Sequence, residues 1–174
     1  MQTQSEQELI AQSLAGDTTA YGTLVDRYKN AIYHHCFAIV RDEDTAEDMA
    51  QESFIAAFYA LRTYQPQYRF STWLFKIATN KCLNHLRATA KTIALGDKML
   101  ADIASSHPSP QQNAEAAELH TAVQQLPPKY RAVISLHYWQ GLPYRDIALA
   151  LDAPTNSVRV WLMRAKQQLR KELS

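Results

Sequence analysis

No carboxylate occurs between Ser53 and Gly96, and none between Ala153 and Lys171. Glycine is also scarce, at 4 of 174 residues, while Ala, Leu and Gln are frequent. That balance disfavours a turn-rich sheet protein and favours helices. Cysteine is limited to Cys36 and Cys82. Their spacing fits no metal or redox motif, so they read as buried free thiols in a reducing compartment. No run approaches the ~20 apolar residues of a membrane span. The opening MQTQSEQELI lacks the basic and apolar blocks of a signal peptide. The expectation is a soluble, cytoplasmic protein without membrane insertion.

The missing carboxylates are gathered elsewhere. Asp42, Glu43, Asp44, Glu47, Asp48 and Glu52 form the densest acidic cluster, directly before the first acid-free stretch. That stretch carries Arg62, Arg69, Lys76, Lys81, Arg87 and Lys91 among Tyr59, Tyr64, Tyr68, Phe70, Trp73 and Phe75. Cations interleaved with aromatics suit nucleic acid, above all single strands whose bases stack on rings. The acidic cluster repels such a ligand and calls for a basic partner. Two opposite faces side by side describe an adaptor between a protein and DNA. Net charge is +1 overall. Residues 1–90 sum to −2, from 8 basic and 10 acidic side chains; residues 114–174 sum to +3, from 8 and 5.

The one clear cluster of helix breakers is SSHPSPQQN at 105–113, with Gly96 as an earlier break. It divides the chain into residues 1–90, a linker over 91–113, and residues 114–174. In the first block, Ala46, Met49, Ala50, Phe54, Ala57, Phe58 and Leu61 recur at steps of three and four, the period of a helix with one buried face. Its other face carries Asp44, Asp48, Gln51, Ile55 and Arg62. Exposed apolar residues are common singly, but Ile55 among carboxylates suits a protein contact.

Residues 71–88 read as the next helix, capped by Ser71 or Thr72. Leu74, Ile77, Ala78 and Cys82 face inward; Lys76, Asn80, Leu83 and Arg87 face outward beside Trp73. Lys and Arg reach phosphates, Asn bonds base edges and Trp stacks. Trp73 taken alone is as well explained by the core.

In the second block, residues 143–151 predict a short helix with Pro143 in its first turn. Asp152-Ala153 is a tight turn, and Pro154 opens a longer helix buried along Val158, Leu162, Ala165 and Leu169. Short helix, turn and longer basic helix is the helix-turn-helix pattern of major-groove readers. A plain helical hairpin with a basic C-terminus also fits, since cations favour helix C-termini.

The order of these features resembles the extracytoplasmic-function (ECF) group of bacterial RNA polymerase sigma factors over nearly the whole chain. Ala15-Gly16-Asp17 with Ala20-Tyr21 and Tyr28 is similar to the opening of the family's second region. Asp44, Glu47-Asp48, Gln51 and Phe54 match its acidic helix. The run from Phe70 through Asn80 matches F-x-T-W-L-x-x-I-A-x-N. Leu126-Pro127 with Tyr130-Arg131, then Gly141-Leu142 with Tyr144, then Asp146-Ile147-Ala148, match the fourth region.

The resemblance implies an all-α protein with two small helical domains, sigma2 (1–90) and sigma4 (114–174), on a flexible linker. It implies core RNA polymerase as partner, through its clamp and flap regions, together with double- and single-stranded promoter DNA and an anti-sigma factor. It implies no cofactor and no metal. Carried over, Asp44, Asp48, Gln51 and Glu52 would bind polymerase. Tyr64, Tyr68, Phe70, Trp73, Lys76 and Asn80 would act at the minus-10 element. Ser157, Arg159, Arg164 and Lys166 would act at the minus-35 element. The chain departs from the family at Val160-Trp161, where a polar pair is usual, and Trp161 falls on the edge of the buried stripe.

Two other readings explain less. A helix-turn-helix regulator that never touches polymerase accounts for residues 143–171 and leaves the 42–96 polarity unexplained. A metal-dependent nuclease needs converging carboxylates, whereas Asp44, Glu47 and Asp48 fall on an exposed helix face. His34, His35 and Cys36 are adjacent on a helix and point about 100° apart. No nucleophile–base pair or phosphate loop occurs, so an enzyme is not expected.

Overall fold

The computed structural model describes residues 3–95 and 114–174, all of them helix or short connection. The expected breakers at Gly96 and 105–113 lie outside the described residues. Four helices build the first unit: α1 (Glu6–Leu14), α2 (Thr18–Val40), α3 (Glu43–Ala60) and α4 (Phe70–Ala94). A 3-10 turn over Leu61–Thr63 leads into the α3–α4 connection. The second unit holds α5 (Ala114–Gln124), α6 (Pro128–Ile134), α7 (Tyr144–Leu151) and α8 (Thr155–Leu173). A π-helical turn, Ser135–Trp139, continues α6.

Local chemistry sets the boundaries. Ser5 and Glu8 form a reciprocal capping box at the start of α1. Gly16, at φ +103°, makes the left-handed step out of α1. Asp17 then caps α2 by accepting from the Thr19 and Ala20 amides. Asp42 caps α3, accepting from the Thr45 amide and hydroxyl at 2.9 and 2.7 Å. Those bonds hold its carboxyl below its ordinary pKa.

Four sequence expectations need correction. Helix α4 runs past residue 90 to Ala94, because no breaker precedes Gly96. Neither Ser71 nor Thr72 caps it; the helix starts at Phe70 and Thr72 lies buried inside it. Pro143 and Pro154 stand just before α7 and α8, not in their first turns. Phe58 is 40 % exposed at the rim of the α3 face, edge-on to Tyr21 and Tyr59.

The two units pack against each other, with α7 lying along α4 and α6 against α2. Thr72, Phe75 and Thr79 are therefore buried as well as the α4 stripe Leu74, Ala78 and Cys82. Among the described residues five polar links cross the junction: Gln140 donates to the Ala31 carbonyl at 3.3 Å, Arg69 faces Asp146, and three more centre on Arg131, Arg41 and His35. Arg131 on α6, only 3 % exposed, donates from Nε and Nη2 to the Ile39 carbonyl near the end of α2. Arg41, in left-handed geometry just after α2, donates to the Gln124 carbonyl at the end of α5 at 2.6 Å. Each arginine thus places a cation at the negative end of a helix in the other unit.

The last of these links is His35. Its Nε2 lies 2.7 Å from Thr79 Oγ1 and its Nδ1 2.8 Å from Ser135 Oγ. The Thr79 hydroxyl donates to the Phe75 carbonyl. That hydroxyl therefore accepts from Nε2–H, and Nδ1 accepts from Ser135, which assigns the tautomer. Burial pushes the His35 pKa down to about 3, so the ring is neutral.

Cys36 and Cys82 are buried free thiols. Contact with Cys36, followed by burial, raises the pKa of Cys82. His34 faces solvent while His35 and Cys36 face inward. Among the described residues no group of three His, Cys, Asp or Glu could hold a metal ion. No described helix is long and apolar enough to cross a membrane.

Candidate functional site

Helix α3 presents the first face. Asp44, Asp48, Gln51 and Glu52 are all exposed, because Ala46, Met49, Ala50, Ser53 and Ala57 take the buried side. Ser53 is tolerated there because its hydroxyl donates to the Met49 carbonyl at 2.6 Å. No cation pairs with Asp44, Glu47, Asp48 or Glu52 among the described residues. Their field reaches α2: Tyr33 has a raised pKa, from burial first and then from Glu43, Glu47, Asp42 and Asp44. Ile55 is 58 % exposed and Tyr59 81 % exposed beside this charge. The face therefore combines unneutralised carboxylates with apolar contact area, which suits a basic protein surface.

The second face is the α3–α4 connection with the start of α4. The sequence grouped Tyr64, Tyr68, Phe70 and Trp73 together, and the structure separates them by burial. Tyr64 and Phe70 are core, at 8 % and 2 % exposed. Their rings meet edge to face at 5.4 Å, and Trp73 leans on both at 5.5 and 5.6 Å. The Tyr64 hydroxyl donates to the Tyr68 carbonyl at 2.7 Å, which fixes the loop. Tyr68 itself is exposed and rims an open cleft of about 410 Å³ with Tyr28, Arg69 and Glu6. Trp73 and Lys76 are half-buried and Asn80 is exposed. Arg69 also reaches into the second unit, 3.8 Å from the buried carboxylate of Asp146.

The third face is α8. Asp152 takes the left-handed turn at φ +52°, and the Ala153 amide donates back to the Ala148 carbonyl. Val158, Leu162 and Ala165 then seat α8 on the core. Of the expected DNA contacts, Arg159 and Arg164 are exposed, and Ser157 and Lys166 are half-buried. Residue types alone did not reveal three cation–ring supports. Arg159 lies over Tyr144 at 6.0 Å, Lys166 over Tyr138 at 5.6 Å, and Lys129 over Trp161 at 4.6 Å. Contact with Tyr138 raises the pKa of Lys166. Trp161 is half-buried against the core, with its ring covered by Lys129. It lies at the edge of the buried stripe, where the helical period put it.

Residues 24–92 match the family model for Sigma-70 region 2, and residues 116–169 match that for Sigma-70, region 4. The chain is 34 % identical to the RNA polymerase sigma-H factor of Pseudomonas aeruginosa, an alignment covering 98 % of this chain and 94 % of the relative. It is also 34 % identical to the ECF RNA polymerase sigma factor SigW of Bacillus subtilis, over 94 % of each. Among solved structures, CnrH in complex with the cytosolic domain of CnrY superposes with a TM-score of 0.72 at 26 % identity, covering 97 % of this chain and 96 % of that one. The sigma factor RpoE of Bartonella quintana, in complex with the anti-sigma factor NepR, shares the fold with a TM-score of 0.76 at 20 % identity, over 88 % of this chain and 96 % of that one. This chain belongs to the sigma-70 family of RNA polymerase sigma factors, in its extracytoplasmic-function group.

Proposed function

We propose that the three faces divide the work of an ECF sigma factor as follows. Asp44, Asp48, Gln51 and Glu52 bind the clamp of core polymerase, with Ile55 adding apolar contact. Tyr68, Trp73, Lys76 and Asn80 act on the minus-10 element, and an unstacked base enters the cleft beside Arg69. Tyr64 and Phe70 serve that element from inside, by holding the loop that carries Tyr68. Ser157, Arg159, Arg164 and Lys166 meet the minus-35 duplex. Residues 1–90 and 114–174 act as the two domains, in the cytoplasm, as a specificity subunit and not as a catalyst. A further partner is an anti-sigma factor, as in the complex of RpoE with NepR.

The observation that carries this reading is the charge separation. The α3 carboxylates have no partner among the described residues, and the chain from Ser53 to Gly96 has no carboxylate to repel DNA. The test uses holoenzyme assembled from core and this protein. Trp73→Ala and Asn80→Ala reduce open-complex formation, read by permanganate footprinting, and one lost stacked base costs roughly 1–3 kcal/mol. A template mismatched at minus 10 restores Trp73→Ala. If Trp73→Ala instead loses helicity and the mismatched template gives no rescue, Trp73 is purely structural.

A further inference from the structure

Besides its last residue, Leu173, helix α8 exposes two apolar side chains that its own packing does not use: Val160 at 37 % and Met163 at 52 %. At about 100° per residue, Val160 stands about 200° around the helix from buried Val158, and Met163 about 140°. Asn156 falls between them, at about 160°. Asn156, Val160 and Met163 thus form one outward strip at i, i+4 and i+7. Arg159 lies on one side of the strip and Arg164 on the other, both exposed. No carboxylate occurs from Ala153 to Lys171. An amide, a branched aliphatic and a thioether between two guanidinium groups fit one surface better than a solvated helix back. The walls of the DNA major groove are phosphate, and the one apolar group on its floor is the thymine methyl.

We propose that Val160 is a specificity-determining residue that reads a thymine methyl in the minus-35 element, with Asn156 reading an adenine beside it. This rests on the reading of α8 as the minus-35 helix. Arg159 and Arg164 take phosphates on opposite strands and set the depth of the helix. Asn156 forms paired hydrogen bonds with adenine N6 and N7. Four residues of helix rise about 6 Å, just under two base-pair steps, so the adenine and thymine lie one to two pairs apart. Met163 lies about one further turn along and closes the contact against water.

The test is transcription by reconstituted holoenzyme from templates randomised upstream of a fixed minus-10 element. The selected thymine is then replaced by deoxyuridine, which removes only the methyl. Wild type should lose about fourfold in promoter use, the value of one buried methyl group. Val160→Ser should show no such loss, and Val160→Thr, which keeps one methyl, should retain it. Thermal melts confirm that these exposed substitutions leave the fold intact. If an upstream sequence is selected but no deoxyuridine matters and Val160→Ser selects the same bases, the proposal is overturned while the minus-35 reading stands; the apolar strip then serves a protein partner. If nothing upstream is selected and Arg159→Ala with Arg164→Ala changes nothing, both fall together.

Discussion

Arg131 and Ile39 are joined across the two units by a pair of hydrogen bonds, from guanidinium Nε at 3.1 Å and Nη2 at 2.5 Å to one carbonyl oxygen. No carboxylate accompanies this buried cation among the described residues. Burial, with Arg41 nearby, lowers its pKa to about 10, so it stays charged. Its charge is balanced by the Ile39 carbonyl in the last turn of α2 and the Leu126 carbonyl in the α5–α6 connection.

Arg131→Met should therefore loosen the junction between the units, by about 1.5–3 kcal/mol for the lost charge-assisted bonds. Arg131 also donates to Leu126 in its own unit, so Arg41→Ala is the cleaner companion, at about 0.3–1 kcal/mol for a cation at a helix end. Small-angle scattering should show a larger radius of gyration for Arg131→Met and for the double variant. An unchanged radius with a lowered melting temperature would confine Arg131 to the stability of the second unit.

Stability should fall as pH drops below about 6.5. His35 titrates near 6.5 when unfolded and near 3 when folded, and His120 is also depressed by burial. The unfolded chain therefore binds more protons throughout that window, and stability rises with pH across it. Between pH 7.5 and 5, His35 alone contributes about 2 kcal/mol. Urea melts at the two pH values measure it. His35→Gln should flatten the slope, and a flat wild-type profile would contradict the buried neutral ring.

Asp48→Arg combined with Gln51→Ala should weaken core binding by about 1.5–3 kcal/mol, roughly 10- to 150-fold. Both side chains are exposed, so the melting temperature should hold. Fluorescence anisotropy of labelled protein with core gives the affinity. Binding equal to wild type would remove α3 from the interface.

Trp161→Arg should destabilise the protein by about 2 kcal/mol. The ring is partly buried and interacts with Lys129, and a guanidinium there faces the same cation. Lys129→Ala should lose only the cation–ring share, about 0.5–1 kcal/mol. A double-mutant cycle in thermal melts gives the coupling; a coupling near zero would show that the lysine only lies nearby.

Much of this architecture is legible in the residues, because helical period and capping chemistry are local. The stripe through Ala46, Met49, Ala50 and Ala57 and the α7–turn–α8 unit follow from spacing alone. The exposed positions of Asp44, Asp48 and Gln51 follow from the same wheel. What was not legible is what the second unit covers. Thr72, Thr79 and His35 look polar and available in the sequence, yet the junction buries all three. Tyr64 and Phe70 read as base-stacking aromatics because composition cannot distinguish a ring in solvent from a ring in a cluster. Arg131 carries no sign in the sequence that its partner is a carbonyl 92 residues away.

The most direct test of the central claim mixes core polymerase, this protein and a library of promoter fragments, and sequences the transcripts. The two-faced sigma factor predicts new start sites that appear only when core and protein are both present, with shared elements near minus 10 and minus 35. The Asp48→Arg, Gln51→Ala variant should reduce them at limiting protein concentration, while bare duplex promoter DNA is bound weakly by the protein alone. Tight, sequence-specific duplex binding without core, and no new start sites with it, would contradict the account.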